Sequence, residues 1–255
     1  MLGDIVIKGM GRVLKEIEKD AKQQRFAAWT AFNKCVTIAK DDTTKHMREV
    51  FDRPTPFIMR SLRGVYSPKP ARRSGPIEGG VGFKDVFGKN EFGKNEFGEA
   101  VSRILTPHIE GGSRPPKPGE KLLRRAGLIS GNEYLIPSRT APLDRYGNIK
   151  PGIMQKITSD LRAHRDAGYT ANVNLKKRDA QYVIGNVGGT RGIYKIDGGL
   201  KNIHRGRWRL IFLIVKGSPK YRAKFKFYEV AGNSFQKNYP AQFDIAYSDA
   251  LRTAR

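Results

Sequence analysis

From Arg12 to Phe51, apolar residues recur at steps of three and four: Val13, Leu14 and Ile17, then Phe26, Trp29, Phe32, Val36 and Ala39, then Met47, Val50 and Phe51. That period predicts a long amphipathic helical segment with a break or kink at Thr43-Thr44, stopped by Pro54 and Pro56. Its aromatic stripe reads as core, and a subunit contact is the second reading. Upstream, residues 2–7 predict a short strand before Gly9 and Gly11.

Farther along, the elements shorten. Glu99 to Ile109 predicts a helix as far as Pro107, and Gly111 to Pro118 a rigid, basic connector. Glu120 to Leu128 predicts a short helix, Tyr134-Leu135-Ile136 a strand, Asp144 to Asn148 a turn, and Ile153 to His164 another helix. Residues 181–187 and 192–196 read as two strands separated by Gly188-Gly189, which suits an antiparallel pair. Phe243, Tyr247, Ala250 and Leu251 mark a closing amphipathic helix.

The sharpest pattern is period two. Trp208, Leu210, Phe212 and Ile214 alternate with Arg207, Arg209, Ile211 and Leu213; Tyr221, Ala223, Phe225 and Phe227 alternate with Lys220, Arg222, Lys224 and Lys226. Joined by Lys216-Gly217-Ser218-Pro219, the two runs predict a β-hairpin. Its pairs would be Ile214 with Tyr221, Phe212 with Ala223, Leu210 with Phe225 and Trp208 with Phe227. One face would be wholly apolar, and the other would set Arg209 opposite Lys226 and Leu213 opposite Arg222. Like charges directly opposite are destabilising, so this face predicts either an acidic partner or plain solvation.

The order of elements gives an α+β class. The organisation expected is an N-terminal helical region over 1–52, a loop-rich basic region over 53–130, and an antiparallel sheet with its closing helix over 131–255. The first and third regions are expected to form one continuous domain. Within the second, Phe87-Gly88-Lys89-Asn90-Glu91 and Phe92-Gly93-Lys94-Asn95-Glu96 are a direct repeat, followed by Phe97-Gly98-Glu99. A five-residue period matches neither helix nor strand, so a loop enlarged by duplication is the reading. Phe87, Phe92 and Phe97 could instead pin that loop to a neighbouring subunit.

Charge changes the picture most. The 255 residues carry 48 Lys and Arg against 24 Asp and Glu, a formal net charge of +24. Residues 1–52 hold ten basic and eight acidic residues, so +22 falls on the rest. Between Asp197 and Glu229 there is no carboxylate among nine Lys and Arg. Such an excess points to acidic partners, nucleic acid or an acidic protein surface. Arg205, Arg207, Arg209, Lys220, Arg222, Lys224 and Lys226 are the candidates to face them. Residues 53–75 add six more basic residues and no acid.

The one cysteine, Cys35, lies within the helical pattern and reads as a buried, reduced thiol. The start MLGDIVIKGMG lacks the pattern of a secretory signal, and no window approaches 18 apolar residues, so no membrane partner is expected. His46, His108, His164 and His204 show no metal-ligand spacing, and no P-loop, G-x-S-x-G or G-x-G-x-x-G occurs. Gly192-Ile193-Tyr194 resembles half of a GIY-YIG nuclease signature, but Tyr182-Val183-Ile184-Gly185 precedes it where the second half should follow. Neither enzymatic activity, nor metal, nor cofactor is expected.

Several pieces carry a family resemblance: Val50 to Phe57 (VFDRPTPF) after an Ala- and Trp-containing helix, Gly111-Gly112-Ser113-Arg114, and Ile136-Pro137 followed by Leu143 to Asn148 (LDRYGN). Gly206-Arg207-Trp208 and the Tyr239-Pro240 pair before the last helix complete the set. Together they resemble the tail-completion, head-to-tail joining proteins of tailed bacteriophages, the group that includes minor tail protein Z. The resemblance covers most of residues 20–255, and the repeat at 87–98 stands out from it as an insertion. It implies a structural protein of the virion neck or upper tail, assembled in the host cytoplasm. It further implies a sixfold or twelvefold ring of this chain around the DNA channel, touching portal or adaptor and tail proteins and meeting packaged DNA through phosphates. In that setting Asp52 and Arg53 are either a turn with a local ion pair or a partner contact. The alternative is a free-standing, sequence-nonspecific nucleic-acid-binding protein, supported by the interleaving of cations with Trp208, Phe225, Phe227 and Tyr228.

Overall fold

The computed structural model describes residues 22–68, 76–84, 101–163, 181–199 and 202–253. The class is α+β, with a long helix at either end of the described chain and antiparallel strands between them. It divides into two compact units: Met1–Gly112 together with Arg222–Arg255, and Ser113–Tyr221. The second is therefore an insertion in the first, a division that cuts across the ranges 1–52, 53–130 and 131–255.

In the first unit, α1 (Lys22–Val50) runs unbroken through Thr43 and Thr44. Their hydroxyls donate back to the carbonyls of Ala39 and Lys40, at 2.6 and 2.7 Å, so the helix absorbs both residues. Its buried face joins Phe32, Val36 and Met47, expected in the core, to a row of small residues. Ala27, Ala28, Ala31, Cys35 and Ala39 are at most 2% exposed, whereas Phe26, expected in the core, is 42% exposed. The partner is the closing helix, α6 (Phe227–Thr253), whose Phe235, Tyr239, Phe243 and Tyr247 stack at four-residue spacing. Large rings on one helix fill the space left by alanines on the other. That packing carries α6 through Pro240, which removes one helical hydrogen bond and was expected to precede the helix.

The remaining elements close this core. Thr55 caps the short α2 (Pro56–Met59) by accepting from the Ile58 amide. Strands β1 (Leu62–Val65) and β2 (Gly80–Phe83) pair antiparallel, and Phe83 stacks on Phe227 with ring centres 4.9 Å apart. Asn33 on α1 bonds both the amide and the carbonyl of Ser67, and the Trp29 indole donates to the same carbonyl. Helix α3 (Val101–Ile109) continues past Pro107, which is buried.

In the second unit, β4 (Glu133–Pro137), β7 (Trp208–Lys216), β6 (Thr190–Ile196) and β5 (Tyr182–Val187) form an antiparallel sheet in that spatial order. Helices α4 (Pro118–Arg125) and α5 (Pro151–Asp160) supply Leu123 and Ile157 to a core with Ile193, Ile211, Phe212 and Ile214. Gly188 and Gly189, with φ of 56° and 78°, form the tight left-handed turn between β5 and β6 that the sequence predicts. Asp144 makes the other expected turn, its carboxylate accepting from the amides of Tyr146 and Asn148.

The predicted hairpin is not formed. Strand β7 pairs with β4 and β6, while the two-residue β8 (Lys220–Tyr221) pairs with β3 (Gly112–Ser113). Leu135, Ile193, Tyr194 and Ile196 therefore stand opposite Ile214, Phe212, Leu210 and Trp208, in place of Tyr221, Ala223, Phe225 and Phe227. The face assignment changes as well. A register shift between Ile193 and Tyr194 leaves Ile211 as the extra residue of a bulge, which reverses the alternation along β7. Phe212 and Ile214 then turn to the helix-covered core, and Trp208 and Leu210 lie on the other face. Trp208 packs against Tyr194 and over Gly185, and its indole donates to the Ile203 carbonyl at 3.0 Å.

Candidate functional site

The cation-rich segment falls into two groups, one in each unit. In the second unit, residues 202–207 form a compact loop leading into β7. The amides of Arg205 and Gly206 both donate to the Asn202 carbonyl, and the Asp197 amide donates to the Arg207 carbonyl. A Cβ at Gly206 would lie 2.6 Å from the Asp197 carbonyl oxygen and 2.8 Å from that of Asn202, so no other residue closes this loop without moving backbone. The result is a rigid base for three exposed side chains, His204, Arg205 and Arg207. No ion pair joins either arginine among the described residues.

Arg209 differs. It faces Lys195 across the β6–β7 ladder, and its guanidinium reaches Asp197 at 2.6 Å. The opposed cations are thus balanced by a carboxylate of the same unit. Both partners are 44% exposed, which limits such a pair to about 0–1 kcal/mol. Lys220 is exposed on β8.

Arg222, Lys224 and Lys226 belong to the first unit and lie on an extended connector that enters α6. Phe225 is its anchor, 1% exposed and in ring contact with His46, Phe51 and Phe227. The amides of Lys224 and Phe225 both donate to the His108 carbonyl, at 2.8 and 2.9 Å. Burying Phe225 inward turns Lys224 and Lys226 outward, so the alternation read from the sequence holds from Lys224 to Phe227 without a strand partner, whereas Ala223, read as part of the apolar face, is exposed. Lys226 pairs with Glu229 in the first turn of α6. His108 is held below its ordinary pKa by burial and, secondarily, by the charge of Lys224, so its ring is neutral near pH 7.

Asp52 and Arg53 pair with each other just beyond α1, with Arg53 at a φ of 46°. Phe87, Phe92 and Phe97 lie outside the described residues. The described chain shows no group of three or more His, Cys, Asp or Glu placed to hold a metal ion, and no described helix is long and apolar enough to cross a membrane. A groove of about 490 Å³ between α1 and α6 contains Asp42 and Ser234, whose hydroxyl donates to that carboxylate at 2.5 Å. Among the described residues its lining holds Lys237 and two asparagines, and no histidine to activate the serine.

One buried charge pair escaped the sequence reading. Arg114, in the segment read as a basic connector, makes two hydrogen bonds to Glu120, at 2.8 and 2.6 Å. Glu120 is 1% exposed and also accepts from the amides of Lys117 and Leu135. Burial alone would raise its pKa, but Arg114 and the two amides outweigh burial and lower it. The Arg114 guanidinium further donates to the Leu135 carbonyl, and that of Arg124 to the Glu133 carbonyl. The pair therefore positions α4 against β4, a structural duty. The capping role of a Glu three residues after Lys117 was the only signal for it in the sequence.

No family model, no curated protein and no solved structure matches this chain.

Proposed function

We propose that this chain is a structural protein of a tailed-phage neck or upper tail, one that joins head to tail in a ring around the DNA channel and meets DNA through phosphates. The observation that carries the reading is how Arg205, Arg207, Arg222 and Lys224 are held. All four are exposed: Arg205 and Arg207 on a glycine-closed loop, Lys224 beside the buried Phe225, and Arg222 on the connector between β8 and that anchor. Cations on a fixed base hold phosphate charge without reading bases. The residues that carry the family resemblance support it in a second way. Thr55, Arg114, Asp144 and Gly206 each fix a cap, a buried pair, a turn or a loop, as suits a protein whose task is to present surfaces.

The direct test removes the coding sequence from the phage that carries it and examines the particles by electron microscopy. The reading predicts filled heads and separate tails. Joined, infectious particles would refute it. Tight, salt-sensitive binding of the purified chain to naked duplex DNA, with no defect in joining, would favour the free-standing nucleic-acid-binding protein.

A further inference from the structure

The two edges of the four-stranded sheet are treated in opposite ways. On β4 the outward-pointing groups are occupied: the Leu135 amide by Glu120, and the Leu135 and Glu133 carbonyls by Arg114 and Arg124. Pro137 ends that strand without an amide hydrogen. Such caps are how a sheet edge is kept from pairing with other chains.

On β5 the corresponding groups are open. The tight turn pairs Val187 with Thr190, and the Ile196 amide donates to the Gln181 carbonyl. Odd-numbered β5 residues therefore bond to β6, and Tyr182, Ile184 and Asn186 turn their amides and carbonyls outward. Asp160 takes the amide of Tyr182. Among the described residues nothing takes those of Ile184 and Asn186. In a chain with 28% charged residues, Tyr182–Val187 contains no charge and no proline, and Asn186 is exposed. Among the described residues, no charge, proline or side-chain cap protects this edge beyond Tyr182.

We propose that the open edge of β5 is a docking strand, which takes an extended segment of a different, acidic protein as a fifth strand of the sheet. Main-chain hydrogen bonds supply the attraction in this mode, and side chains in alternate positions supply selectivity. The net charge decides the occupant. A second copy brings another +24 and is repelled, whereas an acidic segment is drawn in. Lys156, whose ammonium donates to the Gln181 side chain at 3.1 Å, stands at the start of β5 to meet an acidic end. This inference does not depend on the neck reading, since any acidic assembly partner satisfies it.

The test uses the full chain and a blocked peptide of alternating threonine and valine with two glutamates at each end. Amide exchange is followed residue by residue. Without peptide, Val183 and Gly185 should be protected, while Ile184 and Asn186 exchange fast. With peptide, both should slow by about tenfold or more, and a lysine-flanked peptide should bind at least about tenfold more weakly at low salt. Asn186→Pro, which removes one outward amide, should abolish the slowing. If that variant loses protection at Val183 and Gly185, Asn186→Asp is read instead and should weaken the glutamate peptide several-fold. Slow exchange of Ile184 and Asn186 in the free chain would mean that the edge is already filled, by this chain or a second copy, and would overturn the proposal. Equal binding of the two peptides, binding unchanged in the variant that keeps its hairpin, or no slowing at millimolar peptide would also overturn it.

Discussion

The two units of this chain hold themselves together by different chemistry. The first sets stacked rings of α6 against alanines of α1, and its described core contains no ion pair. The second fastens helix α4 to strand β4 with a buried Arg114–Glu120 pair and two backbone amides. Apolar packing is indifferent to pH and is lost in proportion to the volume removed. A buried pair depends on protonation and is most damaging when half of it is taken away.

The largest expected effects come from breaking each device at its centre. Phe225→Ala empties the contact among His46, Phe51 and Phe227 and should cost the first unit about 3–5 kcal/mol in denaturant unfolding. It should also free the connector that carries Lys224. Arg114→Met leaves Glu120 charged and buried, and should cost the second unit a similar ~3–5 kcal/mol. Arg114→Met with Glu120→Gln should recover part of that loss, because the charge is gone while an acceptor for the Leu135 amide remains. A double variant worse than the single would show that the pair matters for its hydrogen bonds more than for its charge.

Titration sharpens the comparison further. Glu120 has a folded pKa below its ordinary 4.5, so its contribution is complete above that value and is lost as pH falls through the lower folded value. His108 also has a lowered folded pKa. The unfolded chain takes up its proton first, so the first unit should weaken as pH falls from the ordinary 6.5 toward the folded value. Amide exchange from pH 7 to pH 3 should thus show a modest early loss in the first unit and a steeper, later loss around Leu135. The smallest effect is chemical. Burial pushes the Cys35 thiol up to about 11, so the native protein should alkylate far more slowly at pH 8 than the denatured protein.

Local signals were legible where the chain closes on itself nearby. Gly188-Gly189 and Asp144 specify their turns within a few residues, and both form as read. Signals failed where a partner lies far away. Alternation in Tyr221 to Phe227 fits any extended segment, and nothing local reveals that Phe225 is buried beside Phe51. One of the two strand partners of β7 stands at Glu133–Pro137, about 80 residues upstream of it in sequence. A single extra residue at Ile211 was enough to move Trp208 and Leu210 to the other face of the sheet. Of the candidate cations, exposure was legible for all seven, since Lys and Arg in an alternating run rarely turn inward. Their grouping was not, because the boundary between the units falls at Arg222.

The central claim is that exposed cations on fixed backbone serve DNA phosphates within an assembled particle. The most direct measurement replaces Arg205, Arg207, Arg222 and Lys224 by Gln in the phage and counts particles that are joined and still full of DNA after exposure to raised salt. None of the four is core, so the variant chain should fold and be incorporated. The account predicts normal particles at low salt and loss of DNA or of joining as the remaining cations are screened. Full titre and retained DNA at high salt would contradict it, and would leave these side chains as a solvated surface.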